Sequence, residues 1–431
     1  MYQVEKIANQ WLYKDTTSPL EIQVPGEWPV EMVQTRSIAP METDEQVREA
    51  IVHPVAGKRL SELARERESR TACVLVSDAT RAVPSARLAR YVVEELQTGG
   101  VPLEGITFFV AIGVHRPATE EEMKSFAGDL WGKVKVKNHT PFQEDSMVDL
   151  GCTSRGTPVL VNREAWECDL HIQIGKVEPH EFAGFSGGRK SVLPGIASEK
   201  TIRINHRPEM ILHPQAAIGV LAGNPVHEDM VETAQKFRID FGVNCILNNE
   251  LQLAAVFAGE MEASHQAAVD YVKQKLSVPV KKPDILVTTP GQPLDIDFYQ
   301  SVKALIALTE VLDENTVVVL HCTCPEGVSS PDMLRGFRSG DELEKVVQFT
   351  TENYQIQMDH VLLLSKILRK RVKIIVCCPH VSDQEIEDMF MIPCRDPDKV
   401  MELAQNLTGK AAPSVLFYPR PQTGLPVVQE E

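Results

Sequence analysis

Short apolar runs alternate with helical patterns along most of the chain, and this alternation constrains the fold more than any other feature. Three such runs lie in the first half: "CVLVSD" (73–78), "ITFFVAIGV" (106–114) and "DLHIQIGKV" (169–177). Apolar runs of this length that alternate with helices are typical of layered proteins whose strands are largely parallel. We therefore predict an α/β fold with Rossmann-like, largely parallel sheets.

A helix between the first two runs completes a strand–helix–strand unit. Leu88, Val92 and Leu96 recur at four-residue spacing, which places them on one face of a helix. Pro84 precedes this segment and Gly99 follows it, and these residue types favour the first and last turns of a helix.

The length of the chain and a connector rich in proline and lysine predict two domains. The chain has 431 residues, which is more than a single hydrophobic core usually supports. A helical segment ends near a connector at 275–283, and beyond it the alternation of strands and helices begins again. We predict domains at 1–278 and 284–431, with the active site in the cleft that they form. The strands "EIQVPG" and "VEMVQT" would belong to the first domain.

Composition excludes several classes of protein. The formal net charge of −16 argues against a broad nucleic-acid interface, so an anionic ligand would need a local cluster of basic residues. Nine cysteines, scattered and odd in number, do not form a disulfide pattern. The first residues lack the apolar core of a signal peptide, and no apolar run is long enough to cross a bilayer. We expect a soluble cytoplasmic protein.

Polar residues follow three of the predicted strands. Asp78 and Arg81 come after the first strand, His115 and Arg116 after the second, and His180 after the third. Each one alone could simply shape a turn. Because ligands bind beyond the carboxyl ends of parallel strands, we expect these side chains to share one site.

The stretch "GFSGGRKS" (184–191) is similar to a phosphate-binding P-loop but departs from its pattern. Arg189 stands where the second glycine of the P-loop belongs, and an acidic linker separates the stretch from the preceding strand. Gly187 and Gly188 would still allow an anionic ligand to approach the backbone closely. Lys190 would then be either a charge partner or a nucleophilic amine. A nucleotide-dependent phosphotransferase and a non-catalytic binding protein both remain alternatives.

Two further segments carry candidate ligands. "SEKTIRINHRPEM" places His206 on a short helix, either as a packed interface residue or as a metal ligand. In the second domain, Gln300 and Lys303 lie near the start of a predicted helix, where the positive end of the helix dipole favours a carboxylate. A solvated helix face is the alternative for this pair.

Cysteines also cluster in "HCTC" (321–324) and "CCPH" (377–380). Paired cysteine and histidine could bind zinc, but no complete set of four ligands with a recognised spacing is present. We favour the interpretation that these thiols are buried core residues.

Five motifs in order resemble the nickel-pincer lactate racemase family. They are "SDATRAVP", "GVHRPATEEEM", "KVEPHEFAGFSGGRKSVLPG", "INHRPEM" and "DFYQSVK". Their matched residues span 78–303, and five motifs in register are specific where one would be weak. Ala82 departs from the family pattern, because the resemblance leads us to expect proline after Arg81.

The resemblance implies a racemase or epimerase that inverts C2 of a 2-hydroxy acid such as lactate. It implies a nickel-pincer nucleotide cofactor, pyridinium-3-thioamide-5-thiocarboxylic acid mononucleotide with nickel, and therefore proteins of cofactor biosynthesis as partners. Lys190 would tether the cofactor and His206 would bind the nickel, with Gly187 and Gly188 in the same cofactor-binding loop.

The resemblance also implies the catalytic residues. His115 and His180 would act as paired acid and base, since imidazole titrates near neutral pH. Arg81, Gln300 and Lys303 would orient the substrate, and Asp78 belongs to the same loop as Arg81. We further consider Arg116 and Arg189 as cations for the cofactor phosphate or a second carboxylate, and Tyr354 as a residue near the pocket.

Overall fold

The computed structural model describes residues 2–7, 9–15, 21–33 and 38–429. They form two compact units, each with its own sheet and core. The N-terminal unit comprises Ser37–His206 and His213–Lys275; the C-terminal unit comprises Met1–Arg36, Arg207–Leu212 and Leu276–Glu431. The predicted α/β class with largely parallel sheets is confirmed by this arrangement.

The sheet of the N-terminal unit has six strands, all parallel to their neighbours except at one edge, where the last pair is antiparallel. Counted along the chain within this sheet, the strands stand in the order 3-2-1-4-5-6, which is the order of a dinucleotide-binding fold. In chain order they are Ala72–Ser77, Ile106–Ala111, Lys135–Asn138, Leu170–Lys176, Phe241–Leu247 and Leu253–Gly259.

Two hairpins lie outside this sheet, and helices cover the sheet. The hairpins are Met147–Cys152 with Pro158–Asn162, and Pro179–His180 with Gly184–Phe185. The helices are Asp44–Val52, Leu60–Glu66, Ser85–Thr98, Glu120–Ala127, Arg163–Trp166, Glu199–Asn205, Pro225–Phe237 and Met261–Leu276. The predicted helix is confirmed as Ser85–Thr98, and Gly99 is its C-cap.

The sheet of the C-terminal unit has six strands that are all parallel to their neighbours. From one edge to the other they are Ile392–Pro393, Lys373–Cys377, Val317–His321, Ile285–Thr289, Val415–Pro419 and Val30–Met32. The remaining strands are the antiparallel Tyr2–Ile7, Gln10–Asp15 and Glu21–Pro25, and the parallel pair Ser277–Val280 and Leu425–Val428.

Eight helices are described for this unit: Pro208–Ile211, Phe298–Ser301, Lys303–Ala307, Pro331–Phe337, Leu343–Glu352, Asp359–Arg369, Asp383–Asp388 and Val400–Thr408. Within the described part of the chain, no helix in either unit has the length and apolarity needed to cross a lipid bilayer.

The first strands of the chain differ from the prediction that assigned 1–278 to one domain. Val30–Met32 pairs in parallel with Val415–Pro419 and so extends the sheet of the C-terminal unit. Tyr13 stacks on Phe417 with 4.6 Å between ring centroids. These apolar side chains bury their surface against a strand nearly 400 positions away, a pairing that local sequence patterns do not encode. Residues 34 and 35 of the predicted strand "VEMVQT" lie outside the described residues.

Candidate functional site

Three strands of the N-terminal sheet end side by side and bring the predicted residues to one edge. The strands Ala72–Ser77 and Leu170–Lys176 are neighbours, and the order of the sheet reverses between them. In folds of this kind the crevice beyond such a reversal is where ligands bind. Asp78 follows the first of these strands directly, and His180 follows the second by four residues.

Asp78 and His115 form a hydrogen-bonded pair at this edge. His115 Nδ1 lies 2.7 Å from Asp78 Oδ2, and Thr80 donates its backbone N–H and its hydroxyl to Asp78 Oδ1 at 3.1 and 2.6 Å. Burial alone would raise the pKa of Asp78, but the hydrogen bonds from His115 and Thr80 outweigh it and lower that pKa. Because an ionised carboxylate only accepts, the Nδ1–H of His115 donates, and Nε2 carries the lone pair of a base.

The backbone conformation after Arg81 explains why alanine and not proline is present at position 82. Ala82 has φ of 50°, in the left-handed region. A proline ring fixes φ near −65°, so the proline expected from the resemblance could not adopt this turn. The local backbone therefore differs from the one that the motif implied.

Arg116 forms an ion pair with Glu122 at the surface. Its guanidinium donates to both carboxylate oxygens of Glu122 at 2.8 and 2.6 Å, and its side chain is 66% exposed. Thr119 and the same Glu122 form a capping box at the start of the helix Glu120–Ala127. The structure therefore gives Arg116 a partner of its own on the protein.

A small hairpin and a short 3₁₀ turn gather the remaining groups of the N-terminal unit. The hairpin pairs Pro179 with Phe185 and His180 with Gly184, and the turn Gly188–Ser191 follows it. This geometry carries Lys190 back to His180, so that Lys190 Nζ lies 3.2 Å from His180 Nε2. A P-loop instead runs from a strand through a loop into a long helix, so the phosphotransferase alternative has no support here.

Phe182 lies at the centre of this group. Its ring meets the rings of His180 and His206 edge-on, with centroids 4.9 and 5.2 Å apart, and Lys190 Nζ is 5.9 Å from its centroid. The Phe182 side chain is 5% exposed. One buried aromatic ring thus positions two histidines and the lysine around itself.

The amine of Lys190 is held in its uncharged form more readily than that of a surface lysine. Burial lowers the pKa of Lys190 well below its usual value, and the positive charges of Arg81 and Arg189 lower it further. An uncharged amine is a nucleophile, whereas an ammonium group is not. Of the two roles left open by the sequence, this environment favours the nucleophilic amine over the charge partner.

His206 is oriented in the way typical of a metal-binding histidine. Its Nδ1 lies 3.0 Å from the carbonyl oxygen of Ile202, one turn earlier in the same helix. A carbonyl only accepts, so Nδ1 carries the proton and Nε2 the lone pair. Histidines that bind metals usually donate their other ring N–H in this manner.

Packing inside the unit and the backbone conformation require glycine at positions 187 and 188. Their φ angles are 76° and 52°, and a Cβ atom would come within 2.6 Å of Val177 at Gly187 and 2.9 Å of His265 at Gly188. The N–H of Gly188 donates to Asn244 Oδ1 at 3.0 Å. The backbone of Gly188 is therefore engaged by the protein itself, in contrast to the expected role toward an anion.

Arg189 is a structural residue of the loop and has no exposed surface. Its guanidinium donates to the carbonyl oxygens of Ala183 and Phe185 at 2.8 Å each, and to those of Ser186 and Gly187 at 3.4 and 3.3 Å. Burial lowers the pKa of Arg189 to about 9. These contacts correct the interpretation of Arg189 as a cation for a ligand, because its donors are turned inward to the chain that carries Lys190.

Replacing Arg189 by lysine is expected to destabilise the protein strongly. A lysine ammonium cannot reach all four carbonyl groups, and each buried acceptor left unpaired costs about 1–3 kcal/mol. We expect the free energy of unfolding, measured by urea denaturation, to fall by about 2–4 kcal/mol. The matched control is Arg116→Lys, which alters an exposed ion pair and should change stability little. Equal effects of the two substitutions would show that the buried contacts of Arg189 do not hold the loop.

Arg81 connects the two groups of residues. Its charge lowers the pKa of Asp78 on one side and the pKa of Lys190 on the other, so both lie within its electrostatic reach. Within the N-terminal unit, the charge of Arg81 thereby links the pair of Asp78 and His115 to the group around Phe182.

Gln300, Lys303 and Tyr354 belong to the C-terminal unit. The single helix predicted there is broken into Phe298–Ser301 and Lys303–Ala307, with Asp297 capping the first through Gln300 N at 2.7 Å. The single predicted helix is therefore wrong, because the segment forms two short helices. Burial raises the pKa of Tyr354, which indicates a packed phenol.

Sequence reasoning missed two residues that organise the site. Phe182 orders His180, His206 and Lys190, and Asn244 holds the loop through Gly188. The pattern "HEF" carries a signal for Phe182, since a lone aromatic between polar residues and glycines must find a buried position. Asn244 lies in a strand 56 residues away, and nothing local marks it.

The fold and the site define an enzyme. At the carboxyl edge of its Rossmann-type sheet, His115 is held by a carboxylate and His180 contacts an uncharged lysine. His206 is oriented as a metal ligand would be. Residues 15–219 match the lactate racemase N-terminal domain, and residues 278–420 match the lactate racemase C-terminal domain. The chain belongs to the lactate racemase family and is an isomerase.

Relatives and solved structures agree with this assignment. The lactate racemases of Thermoanaerobacterium thermosaccharolyticum and Lactiplantibacillus plantarum are 31% and 32% identical over 373 residues, covering 85% of this chain and 87% of each relative. The apoprotein structure of the T. thermosaccharolyticum lactate racemase has a TM-score of 0.85 at 28% identity, with both chains covered completely. A Thermotoga maritima protein at 18% identity, with a TM-score of 0.66 over 91% of this chain and 100% of its own, supports the fold alone.

Proposed function

We propose that this isomerase racemises lactate, or a closely related 2-hydroxy acid, by moving hydrogen at C2 as hydride. The observation that carries the proposal is the contact of the Lys190 amine with His180 beside His206, arranged around Phe182. It puts a nucleophilic amine, an acid–base imidazole and a ligand-type imidazole in one half-buried group around a buried ring.

The chemistry of the substrate explains why an acid–base pair alone is not enough. A C–H bond beside a carboxylate and a hydroxyl is too weakly acidic for a side-chain base to remove its proton. Removing hydride avoids a carbanion and gives a planar 2-keto acid, to which hydrogen can return on either face. A histidine must take the hydroxyl proton as hydride leaves and must give it back afterwards.

The residues present fit a nickel-pincer nucleotide. Lys190 would hold it through its amine, and His206 would bind nickel through Nε2, because its Nδ1 is turned to Ile202 O. Imidazole with sulfur ligands suits Ni²⁺ in planar geometry. When bound, the cofactor supplies the hydride acceptor. Proteins that make and insert it are the partners that this proposal requires.

Two histidines divide the proton transfers. We assign His115 to one enantiomer and His180 to the other, so that each is a base in one direction and an acid in the reverse. Asp78 holds the ring of His115 through Nδ1 and stabilises the imidazolium that forms when Nε2 takes a proton. His180 meets Lys190 at Nε2, and Glu181 Oε2 lies 3.3 Å from its Nδ1.

Cationic and amide side chains would bind the substrate. The positive charge of Arg81 acts on both Asp78 and Lys190, and a guanidinium can donate two parallel hydrogen bonds to a carboxylate. Gln300 and Lys303 are proposed to contact the carboxylate or the hydroxyl, which rests on the resemblance of "DFYQSVK".

The proposed function is tested by a chirality assay on protein produced with and without the cofactor biosynthesis proteins. We expect D- and L-lactate to interconvert only with the first preparation, and a panel of related 2-hydroxy acids identifies the preferred acid. If the cofactor-loaded protein inverts no 2-hydroxy acid in this panel, the proposal is wrong.

A further inference from the structure

Three cysteine side chains of the C-terminal unit converge at the carboxyl edge of its sheet. Cys322 directly follows the strand Val317–His321, and Cys378 directly follows the neighbouring strand Lys373–Cys377. Cys324 lies two residues after Cys322. The three sulfur atoms all lie within 4.8 Å of one another. We name Cys322, Cys324 and Cys378 the thiol cluster.

The thiol cluster is buried and reduced. Its members are 1%, 0% and 2% exposed in chain order, and all are free thiols. Cys377 is also buried but does not belong to the group, although it precedes Cys378 in the chain. Successive residues of a strand point to opposite sides, so the sheet turns Cys378 toward the other two sulfurs and Cys377 away. This selectivity is more than the core packing favoured from the sequence requires.

The loop that carries Cys322 and Cys324 is fixed so that both sulfurs face one side. Thr323 between them points to Asp295, whose carboxylate accepts its N–H and its hydroxyl at 2.7 Å each. Cys324 has φ of 47°, a left-handed conformation that costs an L-residue about 1–2 kcal/mol. The backbone thus accepts strain while it brings a third sulfur to the cluster.

We propose that Cys322, Cys324 and Cys378 bind one Zn²⁺ ion as thiolates. Zinc binds thiolate sulfur at about 2.3 Å in tetrahedral geometry, which places neighbouring sulfurs about 3.8 Å apart. The thiol cluster would need to contract by about 1 Å at most to reach this spacing. The hydroxyl of Ser301, 3.3 Å from the sulfur of Cys324, or a water molecule completes the four ligands.

The net charge of the occupied site favours Zn²⁺ over Cu⁺, the other ion that three thiolates bind well. Three thiolates leave a net charge of −1 with Zn²⁺ but −2 with Cu⁺, and an uncompensated buried charge is costly. Asp295 lies within electrostatic reach of Cys378 and adds negative charge on the same side. The dication is therefore the better match.

The zinc would have a structural role beside the proposed substrate-binding residues. Ser301, in contact with Cys324, lies between Gln300 and Lys303 in the chain. An ion bound by loops after two strands would hold the segment that carries these residues. This site is separate from the nickel proposed above, since its ligands lie in the other unit and are thiolates.

The test uses the full chain produced without the cofactor biosynthesis proteins, so that no nickel cofactor is present. Reduced protein is stripped with a chelator and then titrated with Zn²⁺ or Co²⁺. We expect one Zn²⁺ per chain by elemental mass spectrometry, a near-ultraviolet thiolate-to-cobalt absorption band, and a rise in Tm on zinc addition. Because the assay needs no turnover, its failure would leave the proposed racemase activity untouched.

Matched variants distinguish the thiol cluster from other cysteines. Cys322→Ser and Cys378→Ser should each lose the cobalt band and the zinc-induced rise in Tm, whereas Cys394→Ser, a half-buried cysteine of the same unit, should keep both. The Tm of each metal-free variant shows whether it folds. The proposal would be overturned if the cobalt band persisted in Cys322→Ser, or if the wild type bound less than a tenth of a zinc ion per chain. It would also be overturned if the protein bound Cu⁺ but not Zn²⁺, or if a disulfide formed within the thiol cluster under reducing purification.

Discussion

Lys190→Met is expected to abolish racemisation and, at the same time, to make the apoprotein more stable. The loss of activity follows from the proposed tether, because methionine has a similar length but no amine. We expect turnover to fall by more than about 10³-fold, since the proposed cofactor would supply the hydride acceptor. Intact mass of protein made with the cofactor biosynthesis proteins should show an adduct on the wild type and none on the variant.

The gain in stability follows from the lowered pKa of Lys190. Its folded pKa lies below its unfolded pKa, so the unfolded chain binds more protons and the buried amine destabilises the fold. This destabilisation is largest at low pH and disappears as the pH rises toward the ordinary lysine value. Urea midpoints should therefore favour Lys190→Met most at pH 6 and less at pH 9.

Lys273→Met provides the control for both measurements. Lys273 lies 5.7 Å from the Phe185 ring of the same loop, but its side chain is exposed. We expect it to retain activity, the adduct and the stability of the wild type. If Lys190→Met keeps the adduct, or if both variants show the same stability change, the role given to the Lys190 amine is wrong.

His115→Ala and His180→Ala are each expected to lower kcat by about 10²–10⁴-fold, the usual contribution of a general acid or base. The loss of kcat/KM should be the same in both directions. Two enantiomers have equal free energies, so kcat/KM for D- and L-lactate must remain equal in every active variant. The assay follows D-to-L and L-to-D conversion separately in fully loaded protein.

Asp78→Asn should give an intermediate effect, because it leaves both histidines in place. Asn still contacts His115 Nδ1 but loses the charge that stabilises the imidazolium, and loss of such a supporting partner costs about 10–100-fold. His213→Ala, at an exposed position of the same unit, should stay within about twofold of the wild type by the same measure. A kcat above a tenth of the wild-type value in either catalytic-histidine variant would remove that residue from the acid–base pair.

Features encoded by neighbouring residues could be predicted from the sequence. The helix Ser85–Thr98, the capping box at Thr119 and the cap at Asp297 depend on residues a few positions apart, and the structure has all three. The strand ends that carry Asp78, His115 and His180 were equally accessible, because apolar runs mark where strands stop. These local signals were enough for the α/β class and for the strand ends at which the candidate site lies.

Features set by distant contacts could not be predicted. The edge strand Val30–Met32 pairs with Val415–Pro419, which lies at the far end of the chain. Arg189 lies among basic and glycine residues that suggest an anion site, yet the hairpin folds its guanidinium onto four carbonyl groups of the same loop. The thiol cluster was divided between two motifs that begin 56 positions apart, at His321 and Cys377, and only the neighbouring strands unite them.

The fate of the C2 hydrogen tests the central claim most directly. Lactate deuterated at C2 is racemised by the cofactor-loaded protein in ordinary water, and the product is analysed by mass spectrometry at low conversion. Hydride transfer at the half-buried group around Phe182 predicts that deuterium stays at C2 in the inverted product. Loss of deuterium to solvent at the rate of inversion would show that C2 is deprotonated, and would contradict the roles given to Lys190, His206 and the two catalytic histidines.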